Sequence, residues 1–281
     1  MSSSEPWEKV EAIAGDTTMK VVLFCGGLGT RLREHSDTIP KALVNIGDRP
    51  LLWHLMKYYA HHGHKEFILC LGYRGDLIKE FFLKYDECVS NNFTLSEGGR
   101  RVELENRDLE DWRITFADTG LHANIGQRLL RVRRYLEGEE TFLGNYADGL
   151  TDLPLNEYLE RCLRSGATAS FLSVRTAQSF HAVHTDGDGH VTDLGRVSES
   201  EFWVNGGFFV LRPGIFDVLR EGEELVDAPF QRLIQQRKLF SYKYSGFWKA
   251  MDTFKDKIEF DRMHAQGDSP WKLWMNVKRG N

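Results

Sequence analysis

The chain has 281 residues, of which 41% are hydrophobic and 27% charged, the balance of a globular protein that can bury a large core. Its net charge is −5 and its 36 basic residues are spread along the chain, which argues against a nucleic-acid partner because no basic stripe is available to neutralise phosphates. No apolar run approaches about 18 residues, which argues against a membrane-spanning segment.

The first 18 residues are polar and acidic and lack the hydrophobic centre of a signal peptide, so we predict a flexible N-terminal extension. Residues 19–281 are predicted to form one domain with an insertion near 86–112. The four cysteines are isolated and lie in no zinc-ligand spacing, which favours a reducing, cytoplasmic location; they are Cys25, Cys70, Cys88 and Cys162.

The first half of the chain alternates buried strands with helices. Apolar runs rich in β-branched residues predict strands at 20–25, 66–72 and 167–174. Helical spacing of apolar residues predicts helices at 51–63, ending at Gly63, and at 76–85. This order indicates an α/β protein with a mostly parallel sheet covered by helices on both faces, whose ligand crevice lies beyond the carboxyl ends of the strands.

The polar segment 86–112 is longer than an ordinary connection and is predicted to be a functional flap, a small hairpin or a subunit contact. Further strands are predicted at 113–120 and 141–149, with a helix between them that begins at Gly126. Alternation and Gly-Asp-Gly punctuation in 180–211 predict antiparallel strands added to the core, and the tail is predicted to be mostly helical, at 253–274.

A glycine-rich turn follows the first strand, in the sequence GGLGTRL of residues 26–32. Backbone N–H groups in such a turn can approach an anion closely, and polyphosphate is the anion most often held this way. The dinucleotide fingerprint fails because Leu32 stands where its last glycine should be, and the P-loop pattern fails because Thr30-Arg31 replaces Gly-Lys-Ser/Thr. A glycine turn without a ligand would leave Arg31 and Lys41 unexplained.

The loop and the motifs after it resemble the sugar-1-phosphate nucleotidyltransferases, which make a nucleoside diphosphate sugar and pyrophosphate. The similarity runs from about Met19 to Trp274, and within the family it is greatest to the glucose-1-phosphate cytidylyltransferase branch. The motifs that carry it are GGLGTRL, PKALVNIGDRPLLWHLM, YADG, VNGGFFVL, GFWKAMDTFKDK and SPWKLW. The resemblance implies a Rossmann-like, mixed and mostly parallel sheet, the nucleotide-diphospho-sugar transferase fold, and a homo-oligomer.

The resemblance also implies roles for the loop and its cations. The loop residues would bind the nucleotide and its phosphates, with Arg31 at the leaving pyrophosphate and Lys41 at the α-phosphate and the transition state. Arg128, in GQR, matches a residue near the nucleotide. The loop residues concerned are Gly26, Gly27, Gly29 and Thr30.

Magnesium is the implied cofactor, because the reaction forces phosphates together and needs fixed positive charge. Asp148 and Asp252 match the two metal-binding aspartates of the family. Asp152 offers a second carboxylate nearby, but LPLNEYL after it favours a helix N-cap, so it is left out of the site.

The sugar-phosphate site departs from the family pattern in two places. Asn205, in NGGFF, matches a residue that reaches the sugar, and an asparagine buried in an aromatic strand would favour a polar ligand there. The Glu-Lys-Pro lysine is missing, and a count back from Asn205 places Arg196 at its position. His181 stands where the family keeps a small residue beside the sugar; a surface histidine on an edge strand is the equally good alternative.

The predicted reaction joins CTP and α-D-glucose 1-phosphate to give CDP-glucose and pyrophosphate. The open alternatives are the same reaction with UTP, dTTP, GTP or ATP and another hexose or cyclitol phosphate, or a catalytically silent nucleotide-sugar sensor. Lys41, Asp148 and Asp252 argue against the silent protein.

Overall fold

A computed structural model describes residues 18–27, 39–109, 111–175, 181–196 and 202–276. The predicted N-terminal extension lies outside the described residues, apart from Thr18. The strands, in chain order, are β1 (Lys20–Phe24), β2 (Asn45–Ile46), β3 (Arg49–Pro50), β4 (Glu66–Leu71), β5 (Phe93–Ser96), β6 (Arg101–Leu104), β7 (Arg113–Asp118), β8 (Phe142–Tyr146), β9 (Gly149–Thr151), β10 (Ala169–Val174), β11 (His181–Thr185), β12 (Val191–Arg196), β13 (Val204–Asn205), β14 (Phe209–Leu211), β15 (Leu239–Tyr244) and β16 (Trp248–Ala250). The helices are α1 (Leu51–His61), α2 (Gly75–Leu83), α3 (Ile125–Val132), α4 (Leu155–Arg164), α5 (Ile215–Val218), α6 (Ala228–Gln235), α7 (Phe254–Ala265) and α8 (Leu273–Asn276).

The central sheet is mixed and mostly parallel, as predicted. Its strand order is β7-β4-β1-β8-β14-β10, with β13 and β15 also paired to β10. The strands β1, β4, β7 and β8 are parallel to one another, and β15 is parallel to β10. The strand β14 runs antiparallel to both β8 and β10, so β10 points the same way as β1.

Helices cover both faces of this sheet, also as predicted. Along β1, Val21 and Leu23 face one core and Val22 and Phe24 face the other, because successive side chains of a strand point to opposite faces. The first core includes buried side chains of α1, α4 and α7. The second includes buried side chains of α3, α5 and α6. Burial on both sides explains why β1 reads as a continuous apolar run.

The connectivity creates a crevice at the carboxyl end of β1. The chain passes outward from β1 to β4 and then β7, and returns to place β8 on the other side of β1. Ligands of open α/β sheets bind at such a reversal of strand order. The segments that leave β1 and β8 therefore face each other across the crevice.

Two hairpins extend from this frame. In the segment 86–112, β5 and β6 pair antiparallel, so of the three alternatives the structure shows a small hairpin. In the segment 180–211, β11 and β12 form a separate antiparallel hairpin, while β13 and β14 join the central sheet beside β10.

The C-terminal prediction is confirmed by α7 and α8. Among the described residues, none of the helices combines the length and the apolar character needed to cross a bilayer.

Candidate active site

The turn after β1 packs directly on a buried arginine. A Cβ atom added to Gly26 would lie 2.1 Å from a guanidinium nitrogen of Arg128, and one added to Gly72 would lie 2.9 Å from the same group. Glycine at these two positions therefore lets the backbone that follows β1 and β4 close over the guanidinium.

Arg128, on α3, is 3% exposed and donates its hydrogen bonds to the protein itself. One terminal nitrogen donates to the Leu71 carbonyl at 3.1 Å and to Thr119 Oγ1 at 2.7 Å, and the other donates to the Gly26 carbonyl at 3.0 Å. Burial lowers the pKa of Arg128. The arginine predicted near the nucleotide thus ties together the carboxyl ends of β1, β4 and β7.

Lys41 lies between Asp148 and Asp252, the two aspartates that were predicted to bind the metal. Its Nζ is 2.9 Å from Asp148 Oδ2 and 2.7 Å from Asp252 Oδ1. The lysine side chain is 17% exposed, and the two carboxylates are 35% and 40% exposed. Residues separated by up to 211 positions in the chain therefore form one charged cluster that remains open to solvent on the carboxylate side.

A short ribbon sets the spacing between the two aspartates. The strand β16 pairs antiparallel with β9, with Ala250 opposite Gly149, and the Met251 N–H donates to the Asp148 carbonyl at 2.8 Å. Asp148 directly precedes Gly149, and Asp252 directly follows Met251. Lys41 begins a single helical turn that ends at Leu43, and Pro40 before it has an extended backbone.

The charge of Lys41 is stabilised by this arrangement. Burial alone would lower the pKa of Lys41, but Asp148 and Asp252 outweigh that effect and the pKa is raised. An opposite charge within hydrogen-bonding distance favours the ionised form. Lys41 is therefore held as an ammonium ion at neutral pH.

Asp252 is positioned by the start of α7. Thr253 and Asp256 form a reciprocal capping box, and the Asp256 carboxylate also accepts from the Asp252 N–H at 3.1 Å. Lys249 Nζ in turn lies 3.1 Å from Asp256 and 2.9 Å from Glu259. The backbone of Asp252 is thus held by the cap of α7, and the capping residue Asp256 is itself paired with the half-buried Lys249.

The expectation that Asp152 caps a helix is wrong. The helix α4 begins at Leu155 with Pro154 as its N-cap. Asp152 Oδ1 instead accepts hydrogen bonds from the Phe247 N–H, at 2.8 Å, and from the Tyr244 hydroxyl. Asp152 therefore supports the turn between β15 and β16, and its omission from the site is consistent with that role.

The expected burial of Asn205 is also wrong. Asn205 is exposed; its Oδ1 accepts from the Gly207 N–H at 2.9 Å and its Nδ2 donates to the Tyr146 hydroxyl at 3.4 Å. The buried asparagine is Asn145, which is 1% exposed and bonds the Phe208 N–H and the Tyr59 hydroxyl. Short-range turn bonding satisfies Asn205 without burial.

His181 and Arg196 lie opposite each other in the hairpin of β11 and β12. Their backbones are directly paired in the register, and His181 is exposed on this edge. The side chain of Arg196 and the residues Gly29, Thr30 and Arg31 lie outside the described part of the chain.

The cleft between β1 and β8 contains residues that the sequence predictions missed. Gly27, Lys41, Arg128 and Asp148 line it, and they are joined by Asn124, Ile125, Tyr146 and Glu224. Tyr146 belongs to the YADG motif and could have been nominated with Asp148. Glu224 comes from the connection between α5 and α6, where no motif marks it.

The donor set suits a hard cation that is shared with a ligand. Two carboxylates converge on one cationic group, and within the described residues no group of three or more His, Cys, Asp or Glu could hold a metal by protein ligands alone. Mg²⁺ commonly takes one or two carboxylates and completes its shell with water and substrate phosphates. Asp148 and Asp252 fit that pattern.

Solved structures share the fold. The UDP-glucose pyrophosphorylase complexed with UDP-glucose gives a TM-score of 0.64 at 16% identity, covering 89% of this chain and 100% of that chain. A putative glucose-1-phosphate thymidylyltransferase from Bacillus anthracis gives a TM-score of 0.62 at 14% identity, covering 88% and 95% of the two chains. These similarities establish the nucleotide-diphospho-sugar transferase fold.

Sequence relatives cover nearly the whole chain. It is 39% identical over 258 residues to a probable glucose-1-phosphate cytidylyltransferase of Bacillus subtilis strain 168, covering 91% of this chain and 100% of that protein. It is 37% identical over 259 residues to the glucose-1-phosphate cytidylyltransferase of Salmonella typhi, with the same coverage. A sequence model described as nucleotidyl transferase matches residues 20–259. The chain belongs to the nucleotidyl transferase family.

Proposed function

We propose that this protein is an α-D-glucose-1-phosphate cytidylyltransferase, which converts CTP and glucose 1-phosphate into CDP-glucose and pyrophosphate. The observation that carries the proposal is the cluster of Lys41 with Asp148 and Asp252 at the crevice beside β1. The substrates follow from relatives that are 37% to 39% identical over 91% of the chain.

In the proposed reaction, side chains of the protein position the two substrates and neutralise their phosphate charge. An oxygen of the sugar phosphate attacks the α-phosphorus of CTP, a new P–O bond forms, and the bond to the β-phosphate oxygen breaks as pyrophosphate leaves. Lys41, held charged in the crevice, is proposed to contact the α-phosphate as negative charge develops on it. Arg31 is proposed to bind the leaving pyrophosphate.

The loop after β1 is proposed to bind the nucleotide. Gly26 brings its backbone onto Arg128, and a Cβ atom at Gly27 would meet nothing within 4 Å, so open space lies above that residue. The exposed backbone at Gly27 can therefore be approached closely by phosphate. Gly29 and Thr30 are proposed to continue the same surface.

Mg²⁺ is the proposed cofactor, held by Asp148 and Asp252. When bound, the metal would supply positive charge to the triphosphate and help to neutralise the transition state. The sugar phosphate is proposed to lie along the sheet from the nucleotide, toward Asn205, with Arg196 and His181 on the adjoining hairpin.

The proposed location is the cytoplasm, and the proposed state is a homo-oligomer. The four cysteines are free, which fits a reducing compartment. The hairpin of the 86–112 insertion carries exposed apolar side chains, including Phe93 and Leu95 at 44% and 59% exposure, and it is the proposed subunit contact.

A substrate matrix tests the proposed function. Purified protein with Mg²⁺ is assayed for pyrophosphate release from each of CTP, UTP, dTTP, GTP and ATP with glucose, mannose and galactose 1-phosphates. The highest kcat/KM is expected for CTP with glucose 1-phosphate, and mass spectrometry should identify the product as CDP-glucose. Release that is fastest with another pair would contradict the proposed substrates, and no release with any pair would contradict the reaction.

A further inference from the structure

Two cations lie against one indole ring next to Asn205. The Arg175 guanidinium carbon is 5.3 Å from the centroid of the Trp203 ring, and Lys243 Nζ is 5.2 Å from it. Both cations are exposed, and within the described residues neither of them is paired with a carboxylate. The ring attracts each ammonium or guanidinium group electrostatically and so holds the two side chains near each other.

The group formed by Arg175, Trp203 and Lys243 lies at the same edge of the sheet as the candidate active site. The strand β10 points the same way as β1 because it is related to β8 through the antiparallel strand β14. Arg175 follows the last residue of β10, and Lys243 is the second-last residue of β15, which is parallel to β10. Both cations therefore lie at the edge where β1 and β8 deliver Gly26 and Asp148.

The register also places the group on the same face as Asn205. Ser173 of β10 is paired with Asn205 on β13 and with Lys243 on β15, and residues paired across strands share a face of the sheet. Trp203 and Arg175 lie two residues from Asn205 and Ser173, which is the period that returns a strand to the same face.

A hydrogen bond connects this face with the cleft. Asn205 Nδ2 donates to the Tyr146 hydroxyl at 3.4 Å, and Tyr146 lines the cleft beside Asp148. A substrate that extends from the nucleotide past Tyr146 to Asn205 would therefore come next to Arg175 and Lys243.

We infer that Arg175 and Lys243 hold the phosphate of the sugar 1-phosphate, with Trp203 positioning the two cations. A phosphate monoester carries close to two negative charges at neutral pH, which matches two exposed cations that have no carboxylate partner among the described residues. An arginine can present two parallel N–H donors to phosphate, and the lysine adds a point charge. The inference rests on the proposed function. In it, Arg175 and Lys243 supply the positive charge that the missing Glu-Lys-Pro lysine would otherwise provide.

Steady-state kinetics of Arg175→Gln, Lys243→Gln and the double variant test the inference. Each single variant is expected to raise the KM for glucose 1-phosphate about tenfold or more and to leave the KM for CTP within about twofold, because a charge-assisted phosphate bond is lost. The double variant should be worse than either, and Lys243→Arg should recover part of the loss. Lys238→Gln is the matched control, since Lys238 is exposed just before the opposite end of β15.

Two results would overturn the inference. One is an unchanged KM for glucose 1-phosphate in the double variant; the other is an equal rise in both KM values, which would indicate general damage. Arg196→Gln is measured in parallel, and a loss confined to that variant would assign the phosphate to Arg196 instead.

A binding measurement separates this inference from the proposed reaction. Calorimetric titration of the substrate-free protein with inorganic phosphate should show binding that the double variant weakens about tenfold or more and that Lys238→Gln leaves unchanged. If no sugar phosphate is turned over but this difference is found, the proposed reaction fails and the anion site stands. Equal phosphate binding by the wild type and the double variant would overturn the site even if the wild type makes CDP-glucose.

Discussion

Lys41 is the residue on which the charge balance of the site depends. Its ammonium group is shared by Asp148 and Asp252 at 2.9 and 2.7 Å, and these contacts keep it ionised in a largely buried position. Two carboxylates close together without a cation would repel each other. The same lysine therefore stabilises the arrangement of the two aspartates, and in the proposed reaction it would also stabilise phosphate charge.

Replacing Asp252 with asparagine tests the proposed metal site. Asp252→Asn should lower kcat at least about a hundredfold, because one preorganised carboxylate is lost while the shape of the side chain is kept. The fold should persist, since the cap that positions residue 252 uses its backbone N–H and the Asp256 carboxylate. The measurement is kcat as a function of Mg²⁺ concentration, with chelation abolishing wild-type turnover. Near-normal turnover of the variant at saturating Mg²⁺ would rule out the assignment.

Replacing Lys41 with alanine separates catalysis from binding. Lys41→Ala should reduce kcat much more than it raises the KM for CTP, because a cation aimed at developing charge matters most in the transition state. Arg31→Ala, by contrast, should change both parameters. A Lys41→Ala variant in which only the KM for CTP changes would make the lysine a binding group.

Arg128 joins the ends of the three strands β1, β4 and β7 beneath the candidate nucleotide site. It bonds carbonyl oxygens of Leu71 and Gly26 and the hydroxyl of Thr119, which bonds the Leu71 carbonyl in turn at 2.7 Å. The Leu71 carbonyl also accepts from the Thr119 N–H at 2.9 Å, so several donors converge on the end of β4. The turn after β1 is therefore positioned by α3 as well as by β1.

Two adjacent glycines test this arrangement. Gly26→Ala should lower the melting temperature and raise the KM for CTP, because its Cβ atom would lie 2.1 Å from the Arg128 guanidinium and displace it. Gly27→Ala should leave the melting temperature unchanged, because its Cβ atom meets nothing within 4 Å, but it should still raise the KM for CTP if phosphate approaches there. Equal thermal stability of Gly26→Ala and the wild type would show that the hydrogen bonds of Arg128 to the strand ends do not stabilise the protein.

The connection between α1 and β4 contains a histidine that is buried in its neutral form. His64 is 2% exposed, its Nδ1 accepts from the Met19 N–H at 3.1 Å, and burial lowers its pKa to about 4. Protonation would convert that acceptor into a donor and break the bond. The unfolded chain takes up this proton near pH 6.5 and the folded chain near pH 4, so the contribution is complete above pH 6.5 and is lost as the pH falls to 4.

Chemical unfolding between pH 7 and pH 4 tests this titration. The free energy of unfolding should fall with decreasing pH, and His64→Gln should remove a part of that fall on the order of 3 kcal/mol at most. His190→Gln, at a side chain that is 82% exposed, is the matched control. An identical pH dependence in His64→Gln and the wild type would contradict the assignment.

The elements that local patterns predicted were those with strong burial signals. The runs at β1 and β4 are buried on both faces, so an apolar run was sufficient to find them. The pairing of β16 with β9 joins segments about a hundred residues apart, and no local pattern indicates it. Lys41, Asp148 and Asp252 were nominated by motif resemblance, whereas their convergence on one another depends on that distant pairing.

Contacts between distant parts of the chain also explain why the predictions for Asp152, as a helix cap, and for Asn205, as a buried residue, were wrong. The residues after Asp152 do form a helix, but Pro154 takes the cap position and the carboxylate bonds a turn from a distant part of the chain. Asn205 sits among aromatic residues in sequence, yet β13 is only two residues long and is exposed. The type of a residue and its neighbours in the sequence do not determine whether its side chain is exposed in so short a strand.

The mixed sheet brings both groups of candidate binding residues to one edge of the molecule. The parallel strands β1 and β8 deliver the glycine turn and Asp148, while β10, β13 and β15 deliver Asn205 and the cations beside Trp203. Because β14 reverses direction between β8 and β10, both groups of residues face the same edge. This layout supports a nucleotide at the parallel half and a sugar phosphate at the mixed half.

In the proposed reaction, a phosphate oxygen of glucose 1-phosphate attacks the α-phosphorus of CTP. The direct measurement supplies glucose 1-phosphate with ¹⁸O in its non-bridging phosphate oxygens, together with CTP and Mg²⁺, and follows the label by mass spectrometry. All of the label should appear in CDP-glucose and none in pyrophosphate. Labelled pyrophosphate, or transfer of the terminal phosphate to the sugar phosphate without CDP-glucose, would contradict the proposed reaction.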